Sequence, residues 1–197
     1  WFDANKKRYE TVVKKPFEAF VAEAIARVAK VDKRVRIEPK EAIFRINRDV
    51  RFSNDKTPYK LSRSALITAG GRKDMNGPGI YFELGPGGVN FYGGAYAPDK
   101  DQLKELRERI MDEPKKFKAL YQDETFVKLL GTVQGERNKV LPAEYKEAAA
   151  KEPLLFNKQF YYGAELPAKM VTDPKLADIL MTHYNAMRPM GDFLLGK

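Results

Sequence analysis

Cysteine is absent from this 197-residue chain, and histidine and tryptophan occur once each. Without cysteine there is no disulfide, no thiolate nucleophile and no thiolate metal site. With His183 as the only imidazole, a multi-histidine metal centre within one chain is excluded too, although magnesium or calcium on carboxylates alone stays open. No residue cluster calls for a metal or a cofactor, and none is expected. No apolar run reaches the roughly 18 residues of a membrane-spanning helix, and no charged-then-apolar leader opens the chain. No membrane partner is therefore expected, and the lack of cysteine favours the cytoplasm. The chain begins at Trp1 rather than Met, so the natural N-terminus is expected upstream, and any leader with it.

Hydrophobic residues make up 43% of the chain and charged residues 32%, ordinary proportions for a folded protein of one domain spanning residues 1–197. The formal net charge of +9 is uneven: residues 1–60 hold 16 Lys and Arg against 9 Asp and Glu, and the other 137 residues are nearly balanced. A basic first third attracts a phosphorylated metabolite, a nucleic acid or an anionic surface through the same long-range field, and it also simply aids solubility.

Elements follow from periodicity and punctuation. Residues 3–15 suit a first helix capped by Asp3, and Pro16 suits the first turn of a second, in which Phe17, Phe20, Val21, Ala24, Ile25 and Val28 recur at helical spacing. Together they make an N-terminal helical region over 1–31. Strand character then runs over 42–98. It starts with Ile43–Phe52, continues after a polar loop with the short apolar piece around Ala65–Thr68, and ends in a hairpin of Ile80–Leu84 and Val89–Ala95 joined by Gly85-Pro86-Gly87-Gly88. Gly93 and Gly94 suggest a bulge or a close approach of backbone or ligand.

From Asp99, a cap, to residue 197 the chain is mostly helical, with Leu103, Leu106 and Ile110 turned inward, Pro114 opening a stretch that breaks near Gln122–Asp123, and Gly131 stopping it. An irregular excursion over 131–158 contains a helical piece at Ala143–Lys151, and Gln159–Leu166 is a further strand. Asp173-Pro174 begins a last helix with Leu176, Ile179, Leu180, His183 and Met187 on one face, so His183 is a packing residue before it is a base. Strands in the middle and helices at both ends give an α+β fold, a mostly antiparallel sheet covered by helices on one face.

Most of the chemistry sits between Arg45 and Lys60. Phe44, Ile46, Val50 and Phe52 alternate with Arg45, Asn47, Asp49 and Arg51, and Arg48 falls on the apolar side, where a guanidinium needs a carboxylate or carbonyl oxygens to hold it. Asp49, flanked by Arg48 and Arg51, is expected to stay ionised and to orient rather than donate protons. The loop adds Asp55, Lys56, Tyr59 and Lys60. Arg45, Arg48, Arg51, Lys56 and Tyr59 are the candidate ligand-binding set for phosphate or carboxylate. Asp49 and Glu83, which points outward beside Tyr81 on the hairpin, are the candidate catalytic carboxylates.

The run Arg45-x-x-Arg48-Asp49-x-Arg51-Phe52-x-x-x-Lys56-x-x-Tyr59 resembles the signature of a bacterial family of conserved hypothetical proteins, domain of unknown function 2461. Trp1-Phe2-Asp3-Ala4-Asn5-Lys6, Tyr81-Phe82-Glu83-Leu84-Gly85-Pro86-Gly87-Gly88 and Gly93-Gly94 are similar to that family as well. The likeness runs from Trp1 to about Ile110 and more loosely to the end. Where many members carry Thr-His-Phe, this chain has Leu61-Ser62-Arg63, which argues against a required histidine there. The resemblance implies a shared fold and a common site, but no activity.

Three readings of function follow. In the first, the protein is an enzyme or binding protein for a small anionic ligand, phosphate- or carboxylate-bearing, held by the Arg/Lys/Tyr cluster. In the second, the arginine–aspartate ladder locks the sheet of a structural or interaction domain. In the third, the basic first third binds nucleic acid, although helix one mixes acids with bases and shows no recognition motif.

Overall fold

The computed structural model describes residues 2–51, 54 and 56–196. α1 (Phe2–Tyr9) passes through a single π turn, Glu10–Lys14, into α2 (Lys15–Val31). Pro16 stands in the first turn of α2, where its missing N–H costs nothing. Asp3 lies inside α1 rather than capping it. The predicted stripe is core: Phe17, Val21, Ala24, Ile25 and Val28 are buried, and Phe20 packs against them. α3 (Pro39–Ala42) is one turn long, closed at its start by a reciprocal pair of hydrogen bonds between Glu38 and Glu41.

Four strands follow in a plain antiparallel meander: β1 (Arg63–Ile67), β2 (Ile80–Gly85), β3 (Gly88–Ala95) and β4 (Phe160–Leu166), in spatial order β1-β2-β3-β4. Between β3 and β4 come α4 (Lys100–Asp112), α5 (Pro114–Tyr121), α6 (Glu124–Leu130) and α7 (Lys146–Lys151), and α8 (Leu176–Leu194) completes the fold. The Asp99 carboxylate caps α4 through Asp101 N and Gln102 N, and Gly131 ends α6 at φ +72°. The architecture is α+β, and among the described residues no helix is long and apolar enough to cross a membrane.

The hairpin and the late strand lie where the sequence places them, whereas the last helix begins at Leu176, after Lys175, rather than at Asp173-Pro174. Of the expected strand Ile43–Phe52, the stretch 43–51 does not form one. It alternates as expected, with Phe44, Ile46, Arg48 and Val50 half-buried and Arg45, Asn47, Asp49 and Arg51 exposed. Only single bridges tie it down, Ile43 to Ala65 and Asn47 to Tyr59, so the sheet begins at Arg63 rather than at residue 42. None of residues 43–51 is buried, because no second layer covers them, and a ladder with neither flank packed gains little. Phe52 and Asp55 lie outside the described residues.

Period-two alternation divides the sheet's side chains between two faces. Ala65, Ile67, Ile80, Phe82, Val89, Phe91, Ala95, Phe160 and Tyr162 are buried, and α8 lies along β3 while α2 touches β1 and α8. Tyr162 donates its hydroxyl to Met187 O at 3.1 Å. His183 is buried in this layer, its Nδ1 2.8 Å from Ile179 O and its ring 4.8 Å from Phe91, which is the packing role expected. Gly93 and Gly94 stay in unbroken register with Tyr162 and Tyr161, so there is no bulge. The close approach is real: Gly94 has φ +104°, and a Cβ there would lie 2.1 Å from Phe160 O. Both edges of the meander meet an irregular segment. Ile43 bridges β1, and Gln134 exchanges hydrogen bonds with Tyr161 of β4 at 2.7 and 3.1 Å.

A charged clamp joins α2 to α8. Asp32, just past the end of α2, is 3% exposed and takes two hydrogen bonds from the Arg34 guanidinium, at 2.8 and 2.6 Å, and one from the Tyr184 hydroxyl at 3.2 Å. Arg34 also reaches Asp192 at 2.7 Å, and Arg188 donates to Val31 O at 2.8 Å. The Arg34 hydrogen bonds hold the Asp32 carboxyl well below its usual range of 3.8, at about 2. Folding lowers this pKa, so its contribution is complete above 3.8 and is lost as pH falls toward 2. Asp32→Asn is expected to cost about 2 kcal/mol at neutral pH. Urea denaturation of both proteins from neutral pH downward checks this: the gap should close in the acid limb, and a gap of constant size would show that the carboxylate is not its source.

Candidate functional site

The residues picked out between 45 and 60 bond mainly to one another and to nearby backbone. Asp49 accepts from the Arg51 guanidinium at 2.9 and 2.6 Å, a local pair on an exposed surface, and that guanidinium holds the Asp49 carboxyl below its ordinary value. Asp49 is therefore the ionised group expected, but its partner is local and outside the sheet. Arg48 is half-buried and donates to Thr57 Oγ1 at 3.2 Å, rather than being enclosed on an apolar face. Lys56 donates to Val50 O at 2.9 Å, and Tyr59 is half-buried at its bridge with Asn47. Arg45 alone of this set lines either of the two large clefts, and Glu83 stands in the other cleft from Arg45.

The first cleft, about 1050 Å³, lies between the π turn, the start of α2, α3 and residues 43–47. Seven cationic side chains line it (Lys6, Lys14, Lys40, Arg45, Arg63, Arg72 and Lys73) against three glutamates, Glu10, Glu18 and Glu38. The π turn matters here. Its extra residue per turn brings Tyr9, Glu10 and Lys14 onto the cleft wall, as such turns do at binding sites in many helices.

Arg63 is the unusual member. It begins β1 on the same face as Ala65 and Ile67, which turns it inward: it is 9% exposed and its guanidinium lies 5.3 Å from the centre of the Phe17 ring. Its Nε is fully buried without a hydrogen-bond partner, the one such side-chain atom among the described residues. Arg107 shows how this fold ordinarily buries a guanidinium. It is 7% exposed and stacked on Tyr145, but it donates to Leu155 O at 3.0 Å and Asn157 O at 3.1 Å. Arg63 has the stacking and the burial without the acceptors. The position is readable in the sequence, because alternation from Ala65 and Ile67 places Arg63 on the core face.

The second cleft, about 890 Å³, is the bare face of the sheet. Register arranges it in transverse rows. Ser64, Glu83, Asn90 and Glu165 form one, and Leu66, Tyr81, Tyr92 and Gly163 form the next. Tyr81 donates to Glu83 at 2.8 Å and Tyr92 to Glu165 at 2.9 Å. Tyr92 lies over Gly163, where a Cβ would come within 2.4 Å of its ring. Glu165 shares this face with Glu83, and Asp49 does not. Among the described residues no group of three or more His, Asp or Glu side chains is placed to hold a metal ion.

The sequence model of the conserved hypothetical protein family DUF2461 matches residues 1–193. The chain belongs to that family. The match extends through α8, well beyond the first 110 residues in which the likeness was plainest. No curated protein and no solved structure matches it.

Burial first, and the paired carboxylates after it, push Tyr81 and Tyr92 up from 10 to about 12. Folding raises these values, so the stabilisation is complete below 10 and is lost as pH rises through 12. A spectrophotometric titration near ~295 nm should show that the absorbance lost in a Tyr81→Phe/Tyr92→Phe protein belongs to hydroxyls that ionise well above the free tyrosine value of about 10. A difference curve with its midpoint at the free value would disprove the pairing.

Proposed function

We propose that the protein binds a small anionic ligand, phosphate- or carboxylate-bearing, in the basic cleft, with Arg63 at its floor and Arg45, Lys40 and Arg72 at its sides. The observation that carries this reading is the buried, unpartnered Nε of Arg63. A buried donor without an acceptor costs about 1–3 kcal/mol, and an anion in the cleft that Arg63 lines would supply the countercharge its guanidinium lacks. The volume suits a metabolite-sized molecule, and cations outnumber carboxylates seven to three around it. Arg48, Arg51, Lys56 and Tyr59 fall outside this assignment because they line neither cleft. A nucleic-acid surface has less support, since Glu10, Glu18 and Glu38 interrupt the cations and would repel a continuous phosphate backbone.

The anion reading makes an unusual demand on Arg63→Met. Without a ligand, removing a guanidinium whose Nε is buried without an acceptor should raise the melting temperature, and added phosphate or citrate should then no longer shift it. Wild type should gain about 2–3 kcal/mol at a hundred times the dissociation constant. Thermal denaturation in anion-poor buffer, with and without phosphate, citrate and a phosphorylated sugar, decides the matter. Loss of stability in Arg63→Met together with no anion effect in wild type would leave the arginine a structural residue.

A further inference from the structure

The bare sheet face has the opposite character. In a chain of net charge +9, Glu83 and Glu165 form no ion pair among the described residues, and the hydrogen bond each side chain makes is to a tyrosine hydroxyl. Lys60 is the one cation on the lining, so the cleft is locally acidic. Beside the carboxylates stand aromatic rings: Tyr81 and Tyr92 with centroids 6.4 Å apart, Phe44 set edge-on to Tyr81, and Tyr161 set edge-on to Tyr96. The hydroxyls of Tyr81 and Tyr92 are already committed to carboxylates, which leaves the ring faces as the surface they offer.

We infer that this face is a second binding site, for an organic ammonium cation, a quaternary or alkylated amine whose charge rests on the rings of Tyr81 and Tyr92 and is balanced by Glu83 and Glu165. Aromatic faces attract such cations through the ring quadrupole, and the half-buried Glu83 and exposed Glu165 beside them add the countercharge. Competing occupants fit less well. Among the described residues no third carboxylate or imidazole joins Glu83 and Glu165 in a metal-binding group, so a bare metal ion would find too few ligands. A sugar needs no net charge beneath it. A nucleic-acid strand stacked on these tyrosines would bring its phosphates against two carboxylates. The inference does not rest on the anion site, since the two clefts share only Phe44.

Choline and its uncharged isostere 3,3-dimethylbutan-1-ol test it directly, by titration calorimetry and by tyrosine-ring shifts in nuclear magnetic resonance. Choline is expected to bind saturably and at least tenfold more tightly than the isostere. Glu83→Gln should weaken choline roughly tenfold while keeping an acceptor for Tyr81. Arg63→Met should leave choline binding unchanged, which separates this site from the anion cleft. Equal binding of the isostere, full retention of affinity in both Glu83→Gln and Tyr92→Leu, or no saturable choline binding would overturn the inference. Preference for a neutral saccharide or for single-stranded RNA would do the same.

Discussion

Burial of one sheet face under α8 is the constraint from which the rest of this molecule follows. α8 lies along β3 and also meets α2, α5 and α6, so a single helix organises the core. Once Phe82, Phe91, Phe160 and Tyr162 are committed to that layer, alternation sends Tyr81, Tyr92, Tyr161, Glu83 and Glu165 to the other side with no freedom left in register. The clamp of Asp32, Arg34, Tyr184 and Asp192 then fixes where α2 leaves α8, and with it the angle at which the N-terminal helices overhang the basic cleft.

Buried charge is handled in three ways in the same chain. Asp32 is satisfied by Arg34 and Tyr184, and Arg107 by two carbonyl oxygens. Arg63 is left with an aromatic ring and an unfilled donor. The first two are what a fold needs to tolerate a charge out of water, and the third is a standing cost that folding alone does not explain. That difference, rather than the total positive charge, separates the basic cleft from an ordinary solvated surface.

Much of the fold was legible in the sequence. The hairpin announced itself by Gly85-Pro86-Gly87-Gly88 between alternating runs, and the apolar stripes of α2 and α8 were read residue by residue. The error at Ile43–Phe52 has a definite cause. Alternation reports which way side chains point, which it did correctly there, but a strand also needs a partner along its length, and the chain supplies one only at Ile43 and Asn47. The clefts were less legible, because spacing in sequence reports local pairs: Asp49 and Arg51 lie two residues apart and hydrogen-bond each other, whereas Arg63 and Glu165 stand singly in apolar strands and reach their clefts only through the register of the sheet.

The irregular segments beside the meander have a role in solution behaviour. An exposed outer strand is a template onto which another chain can add. Here Ile43 occupies part of the free flank of β1 and Gln134 part of that of β4. The same segments place Phe44 and Gln134 on the rim of the tyrosine-lined face. Edge protection and the border of the tyrosine-lined face therefore share two short stretches of backbone: if the proposed ligand binds there, propping either segment outward would uncover a pairing edge, and drawing it inward would seal the molecule against its own copies.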